Sequence, residues 1–364
     1  MVAHGRRSGG GESLAFSTAV SRNGHGASKN PRMSLVERMH GTGILRLGDK
    51  KRGFRYERAG GEAVSAADRA RIQDLKIPPA WRDVAVHASP RAWLQAVGKD
   101  AAGRWQYLYH RAHAERREKR KYERLLRFGR ALPAMRARMA RDLKQPGLPK
   151  EKVLACALRI LSFCFLRPGS RVYAEENGSY GLTTLRRPHV AVVGSLVSFD
   201  FRGKAGKRQT RQMRDRRVAR IVRDLARAPG KLFRYRDESG TWTDVRRRHI
   251  NEYIKESMGE AFSAKDFRTW AATLLCAGAL ARSQKDPSQA NLPRKKRIAG
   301  AIRETAEKLG NTPTICRASY ISPPVLRGFE RGRVIEEDFE TVEELARSAA
   351  LHPSEKSLLR LLAS

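Results

Sequence analysis

LVSFDFRGKAGKRQTRQM, residues Leu196–Met213, alternates apolar and polar positions as far as Phe201 and then breaks at Gly203 and Gly206. A period of two marks a strand, and a glycine-rich break between two such runs marks a tight turn. The stretch therefore predicts a β-hairpin with Lys204 at or near its tip. Its surroundings follow the helical period instead. EKVLACALRILSFCFLR, Glu151–Arg167, places Val153, Ala157, Ile160, Leu161 and Cys164 along one apolar face, which predicts a core helix. SAKDFRTWAATLLCAGALA, Ser263–Ala281, reads as a buried helix with Arg268 near its start, and RIAGAIRETAEKLG, Arg297–Gly310, as another closed by a C-terminal glycine. A hairpin set into a mainly helical region makes the fold class α+β.

Outward from there, the N-terminal side changes character. From Leu45 to Tyr109 short apolar or aromatic runs alternate with Gly, Asp and Pro breaks (GFRYERAGG, KIPPAWRDVAVHASP, WLQAVGKDAAGRWQYLYH), the punctuation of a small strand-rich domain. Ala112–Gly147 is dense in charge and good helix formers, with Pro133 and Pro146 expected to interrupt it. Residues 1–44, rich in Gly, Ser, Arg and Asn without a sustained period, are expected to be a disordered basic tail. The expected organisation is thus a tail over 1–44, a β-rich domain over 45–115 and a mainly α-helical domain over 116–364. No internal repeat is evident.

Among 364 residues, 74 Lys and Arg face 37 Asp and Glu, a formal charge of +37 that points to a polyanionic partner. No apolar stretch approaches the roughly 20 residues that span a bilayer, and no signal peptide opens the chain, so a soluble, non-secreted protein is expected. Cys156, Cys164, Cys276 and Cys316 form no CxxC pair, which argues against a zinc ribbon or disulfide framework and for reduced, buried thiols.

The charge acquires a chemical meaning in LGNTPTICRASY, Leu309–Tyr320. A phosphodiester attacked by a side-chain oxygen needs a nucleophile, cations for the non-bridging oxygens and a proton for the leaving oxygen. Tyrosine, with an ordinary pKa of about 10, serves as nucleophile when fixed cations favour the phenolate. Arginine suits the non-bridging oxygens through paired hydrogen bonds, and a crowded lysine can act as general acid. The sequence carries no DxD pair, HExxH or Walker P-loop, so neither ATP, a metal nor any other cofactor is expected.

From about Gly53 to Tyr320 the chain resembles the type IB DNA topoisomerases, in their short bacterial and poxvirus-like branch. The strings that carry the resemblance are, in order, IPPAW (Ile77–Trp81), GKDAAGRWQYLY (Gly98–Tyr109), LRPG (Leu166–Gly169), ENGSYGLTTLRRPHV (Glu176–Val190), FRGKAGK (Phe201–Lys207), KDFRTW (Lys265–Trp270) and LGNTPTICRASY. The resemblance implies that Tyr320 forms a 3′-phosphotyrosyl link, Arg167 and Arg268 grip the phosphate, and Lys204 protonates the leaving 5′ oxygen. Asn311 stands where many relatives have histidine; its amide can donate the same bond to a non-bridging oxygen without carrying charge.

It further implies a C-shaped clamp of both domains on duplex DNA, a monomeric enzyme, relaxation of both signs of supercoil, and a cytoplasmic, nucleoid-associated location. Implied DNA contacts are Gln106, Tyr107 and Tyr109 in the β-rich domain, Tyr173, and the auxiliary cation Lys265. The basic run Arg116–Arg130 is read as part of the positive clamp, and Cys316 as incidental. Two rivals stand beside this reading. A tyrosine recombinase shares the chemistry but usually carries HxxR where this chain has KDFR; a non-catalytic basic packaging protein would account for charge alone.

Overall fold

Ser34 accepts a hydrogen bond from the backbone of Glu37 while the Glu37 carboxylate accepts from the backbone of Ser34, a reciprocal cap that starts helix α1 (Leu35–Thr42). This corrects the expected tail, which included these residues: the SLVE signature is a helix start, and Met39 of α1 is buried. The computed structural model describes residues 34–363 apart from 229, 338, 340, 343, 347 and 348. The remainder of the expected tail, 1–33, lies outside the described residues. No described helix is long and apolar enough to cross a membrane.

The chain divides into two compact units between Arg120 and Lys121. In the first, β1 (Ile44–Asp49), β2 (Gly53–Arg58), β3 (Arg82–Val86), β4 (Leu94–Lys99) and β5 (Trp105–Tyr109) form an antiparallel sheet in the order β2-β1-β3-β4-β5, with α2 (Ala66–Asp74) between β2 and β3. Ile44, Val64, Ile72, Trp81, Val84, Val86, Ala96 and Leu108 fill one small core, and Met39, Ala85, Leu94 and Val97 a second. Alternation along the strands sends successive residues to opposite faces, which is why two modest cores suffice.

Helix α3 (Arg111–Asp142) includes the division between the units and runs unbroken through Pro133, where an interruption was expected. Leu132, Met135 and Phe128 around that proline are buried, and their burial outweighs the roughly 3 kcal/mol an interior proline costs. Gly129, whose carbonyl would otherwise receive the missing N–H, has no side chain because the Trp270 ring lies 2.4 Å from where a Cβ would sit.

The second unit is built on α4 (Lys150–Phe163) and α8 (Ala264–Lys285). Both were expected to be core helices, but α4 is buried on more than one face: Val153 through Leu158, Ile160 and Leu161 are all buried. Around them lie α5 (Arg171–Asn177), α6 (Arg216–Ala226), α7 (Arg247–Met258), α9 (Arg294–Leu309), α10 (Pro313–Ser319), α11 (Pro323–Glu330) and α12 (Pro353–Ala363). Strands β6 (Val190–Val193), β7 (Leu196–Arg202) and β8 (Arg208–Arg214) make a three-stranded antiparallel sheet, and β9 (Arg234–Arg236) pairs with β10 (Trp242–Asp244). The predicted hairpin is β7–β8, and Lys204 lies in its turn. Helix α12 is held by the buried Glu355, which accepts from both terminal nitrogens of Arg136 and from the Trp270 indole.

Candidate active site

Arg167 follows α4 in a segment whose backbone is fixed on both sides. Phe165 adopts a left-handed conformation, φ 51°, uncommon for a residue with a side chain and typical of segments held by their surroundings. Beyond it, the Arg167 carbonyl accepts from the Leu182 amide at 2.9 Å and the Pro168 carbonyl from the Thr183 amide at 2.8 Å. Gly169 and Gly181 let the two strands of chain touch: a Cβ on Gly181 would lie 2.6 Å from the Gly169 Cα. The LRPG and GLTT portions of the sequence are therefore one interlocked support for the Arg167 side chain.

Arg268, in the second turn of α8, is 3% exposed. Its guanidinium donates to the Phe165 carbonyl and, at 3.0 Å, to the Leu309 carbonyl. Asn311 accepts at Oδ1 from Arg167 at 2.5 Å and from Arg268 at 3.4 Å. With Oδ1 taken by two cations, the Asn311 amide nitrogen must point elsewhere; it is buried and, like Nε of Arg268, has no hydrogen-bond partner among the described residues. Buried donors without acceptors are costly, so this pocket is suited to an anion.

Tyr320 caps the C-terminus of α10, a helix started by Thr312 and Pro313. Its carbonyl accepts from the Thr273 hydroxyl of α8, and the carbonyls on either side accept from Lys121 and Tyr122 of α3. The ring lies with its centroid 5.3 Å from the Arg268 guanidinium carbon. Burial pushes the phenol pKa up, but the charges of Arg268 and Arg167, with a smaller contribution from Lys265, outweigh it and bring the net value below that of an ordinary tyrosine. Arg268 pays in turn: burial, then the neighbouring Arg167, lowers its pKa to about 10, still well above neutral pH.

Lys204 lines a cavity with Phe165, Leu166, Arg167, Tyr180, Phe201, Gly203 and Gln209. The turn that carries it uses left-handed conformations at Ala205 and Gly206, φ 60° and 73°, which leave the lysine itself exposed. The structure thus gathers Arg167, Arg268, Asn311 and Tyr320 into one constellation, and sets Lys204 on the wall of the Arg167 cavity. Lys265 is exposed in the first turn of α8.

Residues 110–324 match the family model described as eukaryotic DNA topoisomerase I, catalytic core, and residues 53–100 that of the bacterial DNA topoisomerase IB N-terminal domain. The chain belongs to the type IB DNA topoisomerases. It is 35% identical over 295 residues to the DNA topoisomerase 1B of Acanthamoeba polyphaga mimivirus, covering 79% of this chain and 88% of that one. It is 25% identical over 265 residues to the DNA topoisomerase I of monkeypox virus and to the DNA topoisomerase 1B of vaccinia virus, covering 70% of this chain and 80% of each.

Gln106 is 6% exposed and donates its amide to Asp100 at 2.9 Å, beside the 100–104 turn. Strand alternation pairs Gln106 with Leu108 on one face. Tyr107 and Tyr109 share the other face and are partly buried against the Leu94 cluster. Tyr109 additionally stacks on the exposed Trp93, ring centroids 5.8 Å apart, with the Arg117 guanidinium 5.3 Å from its own ring. Tyr173 is exposed on α5. Sequence reasoning did not find Thr273, Lys121 and Tyr122, which hold the backbone around Tyr320; their signal was only their place in helices that pack there.

Proposed function

We propose that this type IB topoisomerase relaxes supercoiled duplex DNA by transesterification through Tyr320. The Tyr320 oxygen bonds to the scissile phosphorus as the bond to the 5′ oxygen breaks; the phenol proton goes to solvent, and Lys204 gives its proton to the departing 5′ oxygen. Arg167 and Arg268 neutralise the non-bridging oxygens, and the Asn311 NH₂ donates to one of them. The cut strand then swivels under the torque of the DNA, and the 5′ hydroxyl attacks the phosphotyrosine, returning its proton to Lys204 as the bond to the Tyr320 oxygen breaks and the phenolate regains a proton from solvent. The phosphodiester energy is stored in the covalent link, so the cycle is complete without ATP or a metal ion. Supercoils of either sign relax because the torque itself drives rotation.

One observation carries this reading: a tyrosine with a depressed pKa beside two buried donors that lack acceptors, Arg268 Nε and Asn311 Nδ2. The DNA phosphate supplies the missing acceptor. In the same reading the strand-rich unit and the helical unit close on the duplex as a clamp, Tyr107, Tyr109, Tyr173 and Lys265 touch the DNA, and one monomer suffices, consistent with a nucleoid location.

The test is plasmid relaxation with a chelator present, run on the wild type and on Tyr320→Phe. Wild type relaxes both signs of supercoil and leaves protein on the 3′ end of the nick after a denaturing quench. The phenylalanine variant does neither, while its DNA affinity stays within a few-fold, since only one hydroxyl is lost and the phosphate contacts of the cations remain. Equal relaxation by the variant would overturn the assignment of the nucleophile.

A further inference from the structure

Gln209 of β8 is wedged between two glycines that belong to opposite sides of the active site. A Cβ on Gly203, the residue before Lys204, would lie 2.7 Å from its Cγ; a Cβ on Gly310, the residue before Asn311, would lie 2.6 Å from its Oε1. Neither glycine can carry a side chain while Gln209 occupies this place. Gly310 is also the left-handed cap of α9, φ 63°, so its conformation and its missing side chain serve the same contact.

Arg211, two residues along the same strand and therefore on the same face, holds the glutamine from behind. Its Nη2 donates to Gln209 Oε1 at 3.2 Å, its Nη1 to the Thr210 carbonyl at 2.8 Å, and a Cβ on Gly310 would come within 2.9 Å of Nη2. The other end of the amide is held too, since Nε2 donates to the Arg208 carbonyl at 3.1 Å. Arg211 has a half-buried side chain whose Nε finds no partner among the described residues. Holding a third guanidinium near Arg167 and Arg268 costs desolvation and like-charge repulsion, and burial followed by Arg167 lowers the Arg211 pKa. A residue kept at that cost needs a purpose beyond packing.

We propose that Gln209, braced by Arg211, is a positioning residue that sets the distance between the Lys204 turn and the Asn311 end of the phosphate pocket, and thereby times proton delivery to the leaving 5′ oxygen. The proposal rests on the general-acid role of Lys204. General acid catalysis is worth on the order of 10²–10⁴-fold and demands placement within hydrogen-bond reach, so a turn that shifts by an ångström forfeits much of it.

The experiment measures single-turnover cleavage of an ordinary duplex and of one carrying a 5′-bridging sulfur, whose leaving group departs without a proton. Wild type, Lys204→Ala, Gln209→Ala and Arg211→Ala are compared at saturating enzyme. We expect Gln209→Ala to slow cleavage of the ordinary duplex by about ten- to a hundredfold and to cleave the sulfur duplex within a few-fold of wild type, with Arg211→Ala shifted in the same direction. Equal slowing on both duplexes, or no slowing on either, overturns the positioning role. If Lys204→Ala itself is not rescued by sulfur, the general-acid assignment falls instead; if it is rescued and Gln209→Ala is not, only the inference about Gln209 falls.

Discussion

The guanidinium carbon of Arg268 lies 5.3 Å from the centre of the Tyr320 ring, at a site where both groups are largely withdrawn from solvent. The pairing lowers the cost of forming a phenolate, which is the first requirement of attack on phosphorus. It also makes a measurable statement about ionisation. Difference spectra between wild type and Tyr320→Phe should show tyrosinate appearing below the ordinary value of about 10, and Lys265→Ala should move that titration upward. A phenol whose folded pKa is depressed adds stability above its unfolded pKa and loses it as pH falls through the folded value. A titration at or above the ordinary value would contradict the electrostatic account.

Asn311 joins the two arginines through one oxygen, and its buried nitrogen has no partner among the described residues. Asn311→Ala should slow cleavage by about 10²–10³-fold, the usual loss when one fixed donor to a developing oxyanion is removed. Asn311→His, whose neutral ring offers one acceptor and one donor, should retain activity within about tenfold of wild type. Single-turnover rates on a short duplex decide this, and an alanine variant as fast as the histidine one would remove Asn311 from the site.

Stability of the helical unit should depend on a pair far from the chemistry. Glu355 and Arg136 are buried together, with side chains 1% and 12% exposed, and the Trp270 indole donates to the same carboxylate. Glu355→Ala leaves a buried guanidinium without its partner and should cost about 3–5 kcal/mol. Thermal melting reads this directly. Trp270 is two residues from Arg268, so the relaxation rate of the folded variant at low temperature tests whether the loss reaches the site.

Tyr109 should contribute to DNA binding through stacking or neutral contact. Tyr109→Ala is expected to weaken affinity while leaving the slope of log affinity against log salt unchanged, because no counterion is released through a neutral side chain. A slope altered by about one would indicate that the substitution disturbs a neighbouring cation such as Arg117 instead.

Local patterning made much of this structure legible. The hairpin around Lys204, the buried helix of Arg268 and the glycine cap before Asn311 all follow from period and punctuation, and each lies where those signals place it. Tertiary packing decided the rest. Pro133 is carried inside α3 because buried neighbours on both sides hold the helix. Gln209 and Arg211 were invisible because their importance depends on two glycines distant in sequence, and no strand pattern encodes such a meeting.

Cys316 sits one turn before Tyr320, buried, with its thiol pushed up to about 11 by its apolar surroundings. A thiol held protonated is a poor nucleophile, so this short helix carries one side chain kept inert one turn from another favoured to ionise. The fold separates them by opposite treatment: sulfur is kept protonated and shut in, while the oxygen beside the arginines is made the easier to ionise. Chemoselectivity here is thus a property of where each atom is lodged within a single turn.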